Sequence, residues 1–260
     1  MNETIRGDVA TWREGRIGVV EIRRPPNNFF DNALIADIGA GFEAFDADPE
    51  CRVIVLAAAG KNFCAGADFA NRPATGLTAE GGAKHLYKEA IRLFRGKKPV
   101  IAAIQGAAVG GGLGLALVAD FRVACPEARF SANFTRLGFH PGFGLTVTLP
   151  HLIGAQRAAL MFYTGRRIGG EEAGAWGLAD LVVPASELRG AAMAMADEIA
   201  QSAPLAVVST RETLRRGLID RIEAATEREL VEQEWQRKTE DFREGVAASA
   251  ARRLPDFKGR

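Results

Sequence analysis

A run of glycine and small apolar residues from Gly106 to Asp120, GAAVGGGLGLALVAD, sets the tightest limits on how this chain folds. It follows Val100 to Ile104, an apolar run bounded by Pro99 that reads as a buried strand. Beyond Gly110, Gly111 and Gly112 the apolar residues Leu113, Ala116, Leu117 and Val118 return at helical spacing. The segment is therefore a strand, a glycine turn and a helix. Glycines at such a junction admit another backbone or a ligand, and the helix start offers unpaired N–H groups where the dipole favours negative charge.

Spacing tests which anion the turn suits. A phosphate-binding P-loop needs Lys and Ser or Thr after the last glycine, and a dinucleotide turn needs glycine where Leu115 stands. Both fail. A developing oxyanion, as in acyl or enolate chemistry, remains, alongside tight helix-to-strand packing with no ligand at all. A second small-residue turn, Ala65-Gly66-Ala67-Asp68, follows the apolar strand Val53 to Ala57. Two such turns at neighbouring strand ends can hold one oxygen between two N–H groups.

The remaining segments describe an α/β chain. Val9 to Ile22 reads as a hairpin turning at Glu14-Gly15, and Asn32 to Ala47 as a helix with Leu34, Ile35, Ile38, Phe42 and Phe45 on one face. A helix from about Ala79 to Phe94 precedes the strand at Val100. Past Pro150 the chain turns helical, over Ala155 to Tyr163, Glu171 to Trp176 and Ser186 to Ala200, with a short strand at Leu181 to Val183. From Pro204 two or three amphipathic helices follow, with Leu230, Val231, Trp235 and Phe242 as an apolar seam in a charge-rich stretch. The division expected is an α/β core over 1–200 and a helical oligomerisation region over 201–260.

Charge excludes several functions. With 33 basic and 32 acidic side chains the net charge of +1 offers no case for nucleic acid or an anionic membrane. No apolar run is long enough to span a bilayer and MNETIRGDVA lacks a signal-peptide core, so the expected location is cytoplasmic. Cys51, Cys64 and Cys125 lie among apolar residues without metal-ligand spacing, and His85, His140 and His151 show none either, so no metal site is expected.

FCAGAD (Phe63 to Asp68), KPVIAAIQGAAVGGGLGLALVAD (Lys98 to Asp120), ARF (Ala128 to Phe130), LGFHPGFG (Leu137 to Gly144), LPHLIG (Leu149 to Gly154) and TGRRIGGEEAGAWGLADLVVP (Thr164 to Pro184) stand in order along the chain. RRPPNNFFDNAL precedes them and PDFKGR ends the chain. Together they resemble the enoyl-CoA hydratase/isomerase, or crotonase, superfamily. The resemblance implies a crotonase-like α/β core of repeated ββα units, C-terminal helices that build trimers or dimers of trimers, and an acyl-CoA thioester as ligand. Coenzyme A comes with the substrate, so no separate cofactor is implied. By position, Ala67 and Gly111 supply the two N–H donors to the thioester oxygen, and Gly110 and Gly112 shape the turn. Main chain from Cys64 through Ala65 and Gly66 to Asp68 lies against the adenine end of the coenzyme, and Phe257 and Lys258 reach a neighbouring subunit's coenzyme.

The departures from that pattern bear on the reaction. The two glutamates that handle water in hydratases fall at Gly114 and Phe134, and an aspartate used by other relatives falls at Gly142. His140 is the acid or base expected instead, its ordinary pKa suiting proton transfer near neutrality, with a half-exposed turn histidine as the plain alternative. Asp68 is a second candidate, or a helix N-cap. Asn133 offers a hydrogen bond to the acyl group and Phe134 an apolar wall, whereas His85 and Tyr87 read as helix surface or part of a lid. Three functions follow: a hydratase/isomerase-type enzyme working through a stabilised enolate, a decarboxylase or other enolate-forming enzyme that needs no strong base, and a non-catalytic acyl-CoA-binding subunit.

Overall fold

The computed structural model describes residues 3–68 and 82–260. Its first strands, β1 (Thr4–Arg6), β2 (Val9–Glu14) and β3 (Ile17–Ile22), are antiparallel, with Val9 opposite Ile22 and Glu14 opposite Ile17. The turn between β2 and β3 holds Gly15 at φ +57°. After β3 the sheet becomes parallel through β4 (Val53–Ala58), β5 (Val100–Ile104), β7 (Phe121–Ala124) and β10 (Leu181–Val182), seven strands among the described residues. These parallel strands are apolar along most of their length because both faces are covered. Ile54 and Leu56 join the main core, whereas Val53, Val55 and Ala57 face a second cluster. That cluster is closed by Ala192, Ala196 and Ala200, four apart on helix Leu188–Ala200, whose small side chains let the helix lie close to the sheet.

The helix Asn32–Ala47 (α1) matches its sequence expectation in bounds and buried face, and Asp31 caps it by accepting the Leu34 N–H. Helix Gly82–Phe94 (α2) follows, and the expected start near Ala79 lies outside the described residues. Two places differ from the sequence reading. Between the strand at Val100 and the glycine triplet the chain forms a further short strand, β6 (Ala107–Val109), which leaves the large sheet. It pairs with β8 (Arg129–Ser131), and β8 with β9 (Arg167–Gly169), in a second three-stranded sheet. The helix α3 (Gly111–Ala116) then starts inside the triplet. This is the ββα unit that the resemblance implies. In the preceding unit the second strand shrinks to one residue, Cys64, bridged in parallel to Ala108.

The second difference lies around Pro150. A helix (α4) already runs over Leu145–Ile153 with Pro150 inside it and stops at Gly154, φ +81°. Helices α5 (Ala155–Thr164), α6 (Gly170–Trp176) and α7 (Leu188–Ala200) follow close to their expected places. Of the last three, α8 (Pro204–Leu214), α9 (Leu218–Gln236) and α10 (Glu240–Ala250), the latter two pack on the core, whereas α8 buries only Arg211. α9 packs on α2 and α4, and Ile222 and Phe242 join the main cluster. The buried stripe of α9 is Ile222, Thr226, Glu229 and Gln233, not the expected Leu230, Val231 and Trp235. Val231 and Trp235 are each 55% exposed. Polar side chains take the inward face because each finds a partner: Thr226 donates to the Ile222 carbonyl of its own helix, and Glu229 and Gln233 bond across the interface. No helix among the described residues is long and apolar enough to cross a membrane.

Candidate active site

Two turns, at the ends of β4 and β6, meet at one point. Cys64 donates its N–H to the Ala107 carbonyl and its own carbonyl accepts from Val109, at 2.8 and 3.0 Å. Gly112 comes so close behind them that a Cβ there would lie 2.1 Å from the Cys64 oxygen. On the other side Gly66, at φ +88°, sits where a Cβ would be 2.8 Å from the Val109 oxygen. The two glycines are therefore what allows the turns to interlock.

The loop Asn27 to Phe30 clips onto the first turn: Ala65 N–H donates to the Asn27 carbonyl, and Phe30 N–H to that of Gly66. This loop is held by Asn28, fully buried at φ +49°, whose amide donates to the carbonyls of Ala59 and Asn62 and accepts from Arg24 N–H. The next amide, Ala67 N–H, has no acceptor among the described residues. Neither has Gly111 N–H, the first of α3. Ala67 and Gly111 both border a cavity of about 350 Å³. Two N–H groups without acceptors, carried by interlocked turns at the border of one cavity, have the arrangement that an oxyanion hole requires.

Other expected residues are placed as follows. Ala65, Gly66, Asp68, Gly110, Asn133 and Phe134 line the cavity. Cys64 and Gly112 do not: they stand behind the wall, the Cys64 main chain already bonded to β6. Burial pushes the Cys64 thiol up to about 12, so it is no nucleophile. Phe257 and Lys258 are also away from this cavity. Lys258 N–H is held by Asp241 and its ammonium pairs with Asp256 at 2.8 Å.

His140 falls outside the cavity and lines a separate groove with Pro141 and Gln236. Its N–H donates to Gln236, and its Nδ1 lies 2.8 Å from the Pro141 carbonyl, which fixes the proton on Nδ1 because a carbonyl only accepts. Only the His140 main-chain oxygen turns inward, to Gln233. The imidazole thus lies in a different groove from the Ala67 and Gly111 amides, which does not suit the role expected for it as working acid or base. Tyr87 corrects in the opposite direction. It is not helix surface but 7% exposed, and its hydroxyl donates to Gln233 Oε1 at 2.8 Å.

The three positions where the family resemblance implies carboxylates are occupied by packing. A Cβ on Gly114 would lie 2.7 Å from the Phe143 ring, and one on Gly142 2.2 Å from the Tyr87 oxygen and 2.5 Å from Gln233 Nε2. Phe134 stacks edge-on against Phe139. Phe30, Phe143, Gln233 and Arg237 also line the cavity and escaped the sequence reading. The aromatic pair Phe29-Phe30 just before the α1 cap was the available signal for the first. Among the described residues no cluster of His, Cys, Asp or Glu could hold a metal ion.

With this geometry in view, comparison with known proteins is decisive. The enoyl-CoA hydratase/isomerase family model matches residues 13–260. The chain belongs to the enoyl-CoA hydratase/isomerase family. The carnitinyl-CoA dehydratase of Proteus mirabilis is 37% identical over 252 residues, covering 95% of this chain and 96% of that one. A probable enoyl-CoA hydratase of Rhizobium meliloti is 34% identical over 256 residues, again covering 95% and 96%. Among solved structures, an enoyl-CoA hydratase from Mycobacterium avium subsp. paratuberculosis superposes with a TM-score of 0.84 at 28% identity, covering 97% of this chain and 99% of that one.

One buried carboxyl of this family member lies just behind the cavity. Glu229, fully buried on α9, accepts from Gly144 N–H, Thr146 N–H and the Thr146 hydroxyl at 2.6 to 3.1 Å, and so caps α4. Burial pushes it up to about 7 against the pull of those donors. Between about pH 4.5 and 7 the folded chain keeps a proton that an unfolded glutamate has released, so stability falls as pH rises through that window. The loss is on the order of 3 kcal/mol. Denaturant unfolding at pH 4.5 and 7.5 is expected to show this fall relative to Glu229→Gln. Parallel pH dependence in the two proteins would mean that Glu229 is ionised throughout.

Proposed function

We propose that this chain is an acyl-CoA enzyme that holds the thioester oxygen between the N–H groups of Ala67 and Gly111 and stabilises the enolate formed there. Coenzyme A arrives as part of the substrate, with no separate cofactor. The observation that carries this reading is the pair of acceptor-free amides facing one cavity from interlocked turns. Such donors act on charge as it develops, and each is worth about 3–4 kcal/mol of barrier.

The source of the enolate differs from the paired-glutamate pattern. Gly114, Phe134 and Gly142 carry no proton-transfer group, and Phe143, Tyr87 and Gln233 press against the two glycines. A substrate that generates its own enolate by losing carbon dioxide needs no base at these places, which favours decarboxylation or related enolate chemistry. A dehydratase or hydratase reading keeps one support: Asp68 lines the cavity one residue beyond the Ala67 donor, where it can act as the base. Its relatives named as carnitinyl-CoA dehydratase and enoyl-CoA hydratase agree with that second reading.

Mass spectrometry of the purified protein with enoyl-, hydroxyacyl- and malonyl-type thioesters separates the two. Loss of carbon dioxide is the result expected under the first reading. Gain or loss of water supports Asp68 as base, and binding without turnover of any thioester would contradict enzymatic function. Assembly into trimers or dimers of trimers belongs to the same proposal. Leu205 and Leu214 on α8 and Leu254 in the C-terminal tail are 75 to 85% exposed, Trp235 on α9 is 55% exposed, and neighbouring copies would cover them. A solution mass of three or six chains is expected, and a monomer would exclude it.

A further inference from the structure

Along α9, Glu229, Gln233 and Arg237 stand four residues apart, so they share one stripe of the helix and its C-terminal cap. Gln233 is fully used: its Oε1 accepts from Tyr87 at 2.8 Å and from Arg237 Nη2 at 2.7 Å, and its Nε2 donates to the His140 carbonyl. Arg237 is not. Its guanidinium lies 5.1 Å above the Phe139 ring and lines the cavity with Tyr87, Leu137 and Val246. Its Nε is buried without a hydrogen-bond partner, and among the described residues no carboxylate pairs with it. Arg237 is half-buried with its Nε shielded from water, and a guanidinium so placed is ordinarily matched by a carboxylate, because an unmatched charge partly removed from water is costly. The neutral amide of Gln233 does not supply that match.

We propose that Arg237 is the counter-charge for a carboxylate carried by the acyl group, so that the substrate is the coenzyme A thioester of a dicarboxylic acid. This rests on the acyl-CoA reading above and narrows its substrate class. Gln233 joins Arg237 to the wall at Gly142, the position where the family resemblance implies an aspartate in some members. Gly142 brings no carboxylate to this wall, so the cation is left for a carboxylate on the substrate to complete. The planar fork of arginine suits bidentate capture of such a group. The same cation repels a quaternary ammonium, so the carnitinyl group of the carnitinyl-CoA dehydratases does not suit this pocket despite their overall similarity.

Titration calorimetry of the full chain with succinyl-CoA, butyryl-CoA, 4-(trimethylammonio)butyryl-CoA and free coenzyme A tests the proposal. Succinyl-CoA is expected to bind about tenfold or more tighter than butyryl-CoA, and the trimethylammonio thioester weakest of the three. Arg237→Met is expected to bring the succinyl-to-butyryl ratio to about one, and Arg237→Lys to keep part of it. Equal binding of succinyl- and butyryl-CoA by the native chain overturns the proposal alone. So does a ratio unchanged in Arg237→Met. If that substitution weakens free coenzyme A as much as succinyl-CoA, Arg237 serves the coenzyme phosphates instead and the proposal fails. No binding of any thioester or of coenzyme A overturns the acyl-CoA reading itself and this proposal with it.

Discussion

Ala67→Pro is expected to lower turnover by about 10²–10³-fold while leaving the chain folded. Proline removes one N–H and little else at this place. That N–H has no acceptor among the described residues, so no hydrogen bond of the folded chain is lost. Residue 66 is glycine at φ +88°, which tolerates a following proline better than a residue with a Cβ would. The loss should fall on kcat more than on KM, because the donor acts on the oxygen as negative charge builds. Ala67→Gly, which keeps the N–H, should retain most of the turnover. Full activity in the proline variant would show that the oxygen is held elsewhere, and equal losses in both variants would point to a damaged turn.

Gly112→Ala should act through structure instead. The added Cβ would stand 2.1 Å from the Cys64 oxygen and 2.8 Å from its carbonyl carbon, both backbone atoms fixed by the bridge to β6. No side chain can rotate away to relieve the contact, so α3 or the Cys64 turn must move. A destabilisation of about 3 kcal/mol follows, which for a chain of this length lowers Tm by roughly 6–12 °C. Turnover should fall as well, since the displaced turn carries the Ala67 donor. The comparison is Gly154→Ala, where nothing lies within 4 Å of the new Cβ and only the positive φ penalises it. Thermal unfolding of the two variants side by side measures the difference. An equal, small loss in both would show that the turns yield easily.

Much of the fold is legible in the residue pattern because it is driven by local apolar runs. The strands at Val53 and Val100 and the helix with Leu34, Ile35, Ile38, Phe42 and Phe45 inward appear where their periodicity places them. The two small-residue turns are legible too, since glycine is required where two backbones meet as closely as at Gly66 and Gly112. The short strand Ala107–Val109 is not, because its three small residues look like part of the glycine turn until Arg129–Ser131 pairs with them.

The polar wall of the cavity is harder still. Tyr87 and Gln233 bond across 146 positions of sequence, and hydropathy ranks Trp235 above Gln233 for burial although the structure reverses them. A buried polar side chain is chosen by its partner, and that partner is set by tertiary packing alone. The same reason hides Arg237, which in a charge-rich helix looks like one more surface arginine. His140 misled in the opposite way: its residue type suits proton transfer, but the ring and backbone of one residue face opposite sides of the cavity wall.

The central claim is that the Ala67 and Gly111 amides hold one thioester oxygen, and a crystal structure with a non-hydrolysable acyl-CoA analogue tests it most directly. The prediction is a carbonyl oxygen about 2.7–3.1 Å from both nitrogens, with the acyl chain running toward Phe143 and Arg237. A thioester oxygen bonded to neither amide, or amides that turn to protein acceptors when the analogue binds, would contradict it.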